Sequence, residues 1–240
     1  MTQGRRQFVG KLVGGAAAAG AFGLAPETVA AEVSTTPAER ALLRAWDADQ
    51  NPPQTWDMSW VDRVTGTYRQ VFDAPEVGEG TVFHQARSFL QGFIEVHGLK
   101  DGDLSAVMVI RHAAIPLAVN DRLWDELELG KAFKLKDPVS GKAARRNPFL
   151  NANAPSGAKY SMLWPDGGLD TLLKRGAIGL CCNLALFRIV GMIMEREKLE
   201  AKAGREKALA NLVPGMIVLP TGIFAVARAQ AAGCQYIRAA

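Results

Sequence analysis

The sequence predicts an α/β fold, a three-layer sandwich built on a mainly parallel sheet. Strand-like apolar runs alternate with helix-spaced segments almost throughout residues 66–240, an order that favours parallel strands joined by right-handed crossovers. One run, 104–110, is nearly continuous and rich in Val, which suits a strand covered by helices on both faces. With 240 residues and 48% hydrophobic content, the chain is long enough for one sizeable core.

The body begins with a strand and an amphipathic helix. Residues 67–73 alternate as a strand, and Gly78-Glu79-Gly80 forms a turn. Gly98 ends the helix that follows, and the buried strand 104–110 comes next. The apolar face of that helix recurs at spacings of three and four: Phe83, Ala86, Leu90, Phe93, Ile94 and His97.

The middle of the chain is its least regular part. Residues 115–127 predict one or two short helices with a break near Asn120-Asp121. Residues 130–168 contain Pro138, Pro148, Pro155 and Pro165. We expect this segment to lie on the surface, partly over the strand ends or against a second subunit.

Regular alternation returns after residue 168. The pattern predicts helices at 169–175, 184–198, 206–212 and 223–232, and strands at 177–181, 216–219 and 234–237. Five apolar residues of the strands are expected in the sheet core: Val107, Val109, Ile178, Ile217 and Val218.

The first 31 residues have the three parts of a secretory signal. Arg5-Arg6 precede a weakly apolar stretch at 12–24, and Val29-Ala30-Ala31 offers small residues to a signal peptidase. The arginine pair indicates the twin-arginine route, so we expect a periplasmic protein. The apolar stretch is shorter than the ~20 residues that span a bilayer, so no stable membrane span is expected after processing.

Residues 32–65 are predicted to be an N-terminal extension of the mature protein, ahead of the single α/β domain at 66–240. Within this extension, Trp56, Met58 and Trp60 alternate. That pattern is typical of a short strand or of an arm packed on the body.

The charge balance argues against nucleic acid. The net charge is +4, but the signal carries Arg5, Arg6 and Lys11 against Glu27, so its removal leaves 209 residues with a net charge of +2. Nucleic-acid binding needs a concentrated basic face. The basic residues between 131 and 146 lie instead in the irregular segment, which is typical of a solvated loop.

The candidate site is at the carboxyl ends of the strands, where ligands of parallel sheets gather. Cys181 and Cys182 end one strand, and Asn183, a strong helix-capping type, opens the next helix. The N–H groups and macrodipole at a helix start favour an anion, including a thiolate. Cys182 is therefore the candidate nucleophilic or sulfur-carrying residue.

The alternative is that the cysteines are small buried hydrophobes. Strand alternation puts Cys181 and Cys182 on opposite faces, so at most one is expected to be a surface thiol. A bridge between them is not expected, because adjacent Cα atoms are ~3.8 Å apart and disulfides need ~4.4–6.8 Å. Cys234 could form a disulfide only if the fold brought it close to one of the other two cysteines.

Two other strand exits supply polar candidates at the same edge. His112 follows Arg111 directly after the buried strand, where a cation stabilises a nearby anion or thiolate. Thr221 lies in the turn before the last helix, and with His112 and Asn183 it completes the binding candidates. No metal-ligand spacing, Gly-rich phosphate loop or Gly-x-Ser-x-Gly elbow occurs, so neither a metal nor a cofactor is expected.

Four stretches of the body resemble the DsrE/DsrF-like superfamily, specifically its secreted branch: residues 107–112, 179–186, 212–223 and 230–237. The resemblance implies a compact parallel-sheet α/β fold and frequent homo-oligomers. It also implies a cysteine that carries persulfide sulfur between partner proteins. Cys182 matches that cysteine, because the Cys-x-x-Ala pattern continues with Ala185.

Together these features give a leading hypothesis and two others. The first is an exported DsrE-like protein that binds or relays sulfur through Cys182, with the twin-arginine machinery and a sulfur-donor or redox protein as partners. The alternative is a non-enzymatic periplasmic binding or assembly module with structural cysteines. A third is a partner of an exported redox enzyme. Thiol reactivity distinguishes a carrier from a structural role, because a carrier needs an accessible thiolate.

Overall fold

The computed structural model describes residues 55–153 and 165–240. Within these ranges one sheet of five strands forms, all parallel, in the order β4-β3-β2-β1-β5. The predicted α/β sandwich is confirmed, and the sheet of the described residues is wholly parallel. The strands are β1 (Tyr68–Ala74), β2 (Leu104–Ile110), β3 (Ile178–Cys182), β4 (Met216–Leu219) and β5 (Gln235–Arg238).

The connections between the strands contain both α-helices and 3-10 helices. A 3-10 helix, His112–Ala118, follows β2, and the predicted break comes next because the Asn120 side chain caps the following helix by accepting from the Leu123 N–H. Among the described residues, no helix combines the length and the apolar character needed to cross a membrane. The α-helices are α1 (Thr81–His97), α2 (Asp121–Glu126), α3 (Leu129–Ala132), α4 (Leu169–Lys174), α5 (Asn183–Glu197), α6 (Ala201–Ala210) and α7 (Gly222–Ala231).

The two faces of the sheet bury separate apolar clusters, because successive strand side chains point to opposite sides. The first cluster joins one face to α1, α4, α5 and α6, and the second joins the other face to α7. From β1 and β2, the first cluster takes Phe72, Ala74, Leu104, Ala106, Met108 and Ile110, and the second takes Val71, Val107 and Val109. All seven residues of β2 are buried, as the continuous apolar run predicts.

The position of a strand in the sheet decides how deeply its apolar residues are buried. Val107, Val109 and Ile178 are buried as predicted. Ile217 and Val218 contact the clusters but are only half-buried, so their predicted place in the sheet core is wrong. The reason is that β4 is an edge strand, with a neighbour on one side only.

The described part of the N-terminal extension packs on the α7 side of the sheet. The predicted strand is wrong, because Ser59–Arg63 forms a 3-10 helix. The predicted arm is confirmed, since Trp60 is fully buried in the second cluster. The predicted signal at 1–31 and the rest of the predicted extension up to residue 54 lie outside the described residues.

Part of the irregular segment is buried, although its proline content predicts a surface loop. Phe149 is fully buried, and its ring lies 6.0 Å from that of Phe83 in the first turn of α1. The buried Asn147 side chain donates to the carbonyl groups of Leu117 and Val119 at 3.2 and 2.9 Å. These contacts tie the segment to the body at a few buried residues, whereas most of residues 131–146 are exposed, as predicted. Residues 154–164 lie outside the described ranges.

Candidate functional site

A crevice forms at the carboxyl ends of β3 and β4, which are neighbours in register at Cys182 and Leu219. From β3 the chain enters α5 on the first-cluster face of the sheet, whereas from β4 it enters α7 on the second-cluster face. Neighbouring strands whose connections leave in opposite directions define the place where open α/β sheets bind ligands.

A cavity of about 240 Å³ occupies this crevice. It brings together three of the four predicted site residues from three separate strand ends. The volume is smaller than the ~300–1,000 Å³ of sites for drug-sized ligands, so it suits a small molecule. The cavity is lined by Arg111, His112, Cys182, Leu184, Ala185, Thr221, Gly222 and Ile223.

Cys182 lines the cavity with only 5% of its surface exposed. It is both the last residue of β3 and the N-cap of α5, and its side chain makes no capping hydrogen bond. Strand and helix therefore join without a loop, and the thiol sits beside the first turn of α5. It is also close enough to Arg111 for the two side chains to interact electrostatically.

Asn183 has a different role from the predicted one. It is the first residue of α5 and not its cap. Its side chain is buried and its Oδ1 accepts from Arg205 Nη1 at 2.6 Å. Asn183 is therefore not among the residues that line the cavity, and it anchors α5 through Arg205 of α6.

The other two cysteines are buried free thiols. Burial raises the pKa of the Cys181 thiol, and it raises the pKa of Cys234 to about 11. Cys181 and Cys182 both belong to the first cluster, so the prediction of opposite faces is wrong. Strand alternation fails here because Cys182 is the residue at which the chain turns into α5.

Arg111 is held in place by a buried carboxylate. Its Nε and Nη2 donate to the two carboxylate oxygens of Asp73 at 2.6 and 2.8 Å, and the Tyr236 hydroxyl donates to the same carboxylate at 3.0 Å. Asp73 is 2% exposed. The hydrogen bonds to Asp73 raise the pKa of the Arg111 guanidinium, so Arg111 remains a fixed cation at the cavity.

Sequence reasoning used Arg111 only as the neighbour of His112 and missed Asp73 and Tyr236. The one signal for this arrangement in the sequence was Asp73 itself, a carboxylate at the end of the predicted strand 67–73. Parallel register places Asp73 beside Val109 of β2 and Arg238 of β5, and that pairing order is not readable from local patterns.

The N-terminus of α7 is shaped to accept the Arg111 side chain. A Cβ atom on Gly222 would lie 2.6 Å from both Cβ and Cδ of Arg111, so only glycine lets the aliphatic stem pack there. Thr221 lines the cavity, but its hydroxyl accepts from the Phe224 N–H at 2.9 Å and caps α7. This residue therefore shapes the cavity and also begins the helix.

His112 lies on the exposed rim of the cavity. Its φ of 50° falls in the left-handed region, which is uncommon for a residue with a side chain. The unusual backbone begins the 3-10 helix directly after Arg111. In residues 55–153 and 165–240, no group of three or more His, Cys, Asp or Glu side chains could hold a metal ion.

The fold and the crevice define an open, parallel α/β protein with a thiol and a fixed cation at its strand ends. No family model matches the chain, and a search of curated proteins finds no match. The solved structure of a protein of unknown function from Methanobacterium thermoautotrophicum is similar, with 14% identity and a TM-score of 0.36. The match covers 71% of this chain and 98% of the other. The resemblance to DsrE/DsrF-like proteins stays a prediction.

Proposed function

We propose that this chain is an exported DsrE-like protein that binds and relays sulfur through Cys182. The observation that carries the proposal is the position of the Cys182 thiol on the cavity at the carboxyl ends of β3 and β4, beside the Arg111 guanidinium. The deeper burial of Cys181, at 1% exposed, and its lack of contact with this cavity distinguish Cys182 from its neighbour.

The proposed chemistry is a sulfur transfer between thiols. The Cys182 thiolate attacks the outer sulfur of a donor persulfide, R–S–SH, and a new S–S bond forms at Cys182. The donor S–S bond breaks, its electron pair leaves with R–S⁻, and the proton stays on the transferred sulfur. The reverse step passes that sulfur to an acceptor thiolate, so no external oxidant or reductant is needed.

The surroundings of Cys182 suit such a step. A thiolate is the reactive form of cysteine and is favoured beside cations and helix N-termini, and Cys182 has Arg111 and the start of α5 next to it. A persulfide is also an anion once deprotonated, so the same groups would hold the sulfur after transfer.

Export and assembly belong to the same proposal. Arg5-Arg6 ahead of the apolar run support passage through the twin-arginine machinery to the periplasm. The family resemblance supports a homo-oligomer. Under this proposal, a sulfur-donor or redox protein supplies or receives the sulfur.

One observation favours a second candidate, a binding or assembly module with structural cysteines. Cys182 is 95% covered and packs in the first apolar cluster, as structural cysteines do. This candidate keeps the cavity as a ligand site and gives the thiol no chemistry.

Iodoacetamide labelling of the folded protein, with mass spectrometry to locate the adduct, separates the two candidates. The carrier proposal expects the label on Cys182, with Cys181 and Cys234 labelled only after unfolding. Incubation with a low-molecular-weight persulfide should then add one sulfur atom to Cys182. Cys182→Ser should fold normally and lose both modifications, whereas Cys234→Ser, the matched control, should keep them. A native protein that takes neither modification at Cys182 would support the binding module.

A further inference from the structure

We infer that the cavity beside Cys182 takes a small organic anion, whose charged group binds Arg111 and whose apolar part packs on Leu184 and Ile223. The inference rests on the proposed function, since it names the ligand class of the same cavity. It concerns binding and not sulfur transfer, so the two can be tested separately.

The first argument is the unused hydrogen-bonding capacity of Arg111. Asp73 occupies Nε and Nη2, and among the described residues no hydrogen bond from Nη1 is found. The Arg111 side chain is 23% exposed and lines the cavity. A guanidinium has five N–H donors, so Nη1 can donate to an anionic group while Asp73 keeps its two hydrogen bonds.

The second argument is that Arg111 is already ordered before any ligand arrives. Asp73 fixes the guanidinium from one side, and the Tyr236 hydroxyl donates to the same carboxylate. The stem of Arg111 packs on Gly222. Binding therefore avoids most of the entropy cost of immobilising a long side chain. Asp73 offsets the charge of Arg111. The affinity of the cavity for an anion therefore depends on the direction of the hydrogen bond from Nη1 and on the nearby helix start.

That helix start belongs to α5. Its first turn contributes Leu184 and Ala185 to the cavity, and the side chain of its N-cap residue, Cys182, makes no capping hydrogen bond. The N–H groups and the dipole at the start of a 15-residue helix both favour an anion at this end. By contrast, Thr221 already caps α7.

The rest of the cavity wall explains why the anion should be organic. Leu184 is 40% exposed and Ile223 is 65% exposed, and both line the cavity with Ala185. An inorganic anion would leave these apolar surfaces in water, whereas a ligand with a small apolar body would cover them. A neutral apolar ligand would leave the Arg111 Nη1 group without a partner, which costs free energy once water is excluded.

Methanesulfonate and dimethyl sulfone form a matched pair of probes, because they differ in charge and are similar in shape. In nuclear magnetic resonance titrations of the unmodified protein, we expect methanesulfonate to shift the amide signals of Leu184 and Ala185. Dimethyl sulfone at the same concentration should not. An equal response to both probes, or no response to either, overturns the inference. The titration can be repeated on Cys182→Ser, so it does not depend on thiol chemistry.

A second test uses the thiol as a reporter. Iodoacetate and iodoacetamide both alkylate the Cys182 thiolate. A change in the thiolate fraction or in access to the thiol therefore alters both rates equally. The ratio of the two rates reports only the effect of the reagent's charge. We expect Arg111→Gln to lower the iodoacetate-to-iodoacetamide ratio about fivefold, an effect of about 1 kcal/mol. Arg238→Gln, which removes the same charge from an exposed ion pair with Glu76, should leave the ratio unchanged.

The two tests distinguish failure of the inference from failure of the proposed function. An unchanged ratio in Arg111→Gln, with Cys182 still labelled, overturns the anion site and leaves sulfur transfer standing. If neither reagent labels Cys182, the carrier proposal fails, and the methanesulfonate titration alone then decides whether the cavity binds anions.

Discussion

The side chain of Arg111 packs directly across Gly222, the first residue of α7. The contact joins the exit of β2 to the start of the helix after β4, although the two residues are far apart in sequence. A Cβ atom on Gly222 would lie 2.6 Å from the Arg111 Cβ and Cδ atoms. The Arg111 side chain can lie here because Gly222 has no Cβ atom, and the hydrogen bonds to Asp73 then hold its guanidinium.

Replacing Gly222 by alanine should destabilise the protein and displace Arg111. Overpacking of this kind costs about 1–3 kcal/mol, measurable by urea unfolding. Gly92→Ala is the matched control, because Gly92 lies inside α1 with no atom within 4 Å of the added Cβ. That change should stabilise the protein by about 0.5–1 kcal/mol. Equal effects of the two substitutions would contradict the Arg111 contact.

Replacing Thr221 by alanine should weaken the start of α7. The Thr221 hydroxyl accepts from the Phe224 N–H, and loss of an N-cap side chain costs about 1 kcal/mol. Thr221→Ser keeps the hydroxyl and should remain close to the original free energy of unfolding. The prediction fails if the alanine and serine variants unfold at the same urea concentration.

The free energy of unfolding should fall between about pH 9 and pH 11 because of Cys234. Burial raises its pKa from the usual 9.0 to about 11, so between these pH values the folded protein keeps a proton that the unfolded chain releases. This stabilisation is complete below pH 9 and is lost as the pH rises through 11, by about 3 kcal/mol. Cys234→Ala should give a shallower decline in urea unfolding measured across this range. An identical slope in both proteins would contradict the raised pKa.

Replacing Arg5 and Arg6 by lysine should retain the precursor in the cytoplasm at full length. The twin-arginine route requires the arginine pair, and the double change keeps the positive charge. Cell fractionation and intact-mass measurement check the result, with Lys11→Arg as a control that leaves export unchanged. Normal processing and periplasmic recovery of the double variant would rule out this route.

Local patterns in the sequence predicted much of the architecture. The bounds of β2 are those of its apolar run at 104–110, and β4 also has its predicted bounds. The break predicted near Asn120-Asp121 is present, and the structure shows its cause, since the Asn120 side chain caps α2. These features depend on neighbours within a few residues, where side-chain periodicity and turn chemistry act directly.

Other features needed the whole fold. Ile217 and Val218 have strand character, but the order of strands leaves β4 at an edge. Phe149 and Asn147 lie in a proline-rich segment without periodicity, and they are buried because α1 and the 3-10 helix after β2 accept them.

The candidate site divides in the same way. Local patterns alone place Cys182, His112 and Thr221 at strand ends, since each residue follows or ends a strand pattern. The crevice between β3 and β4 depends on contacts between distant parts of the chain. So do the hydrogen bond between Arg205 and Asn183 and the position of Arg111 against Asp73 and Gly222. The physical reason is that hydrogen bonds and close packing act between groups near in space, and the strand order β4-β3-β2-β1-β5 brings these distant residues together.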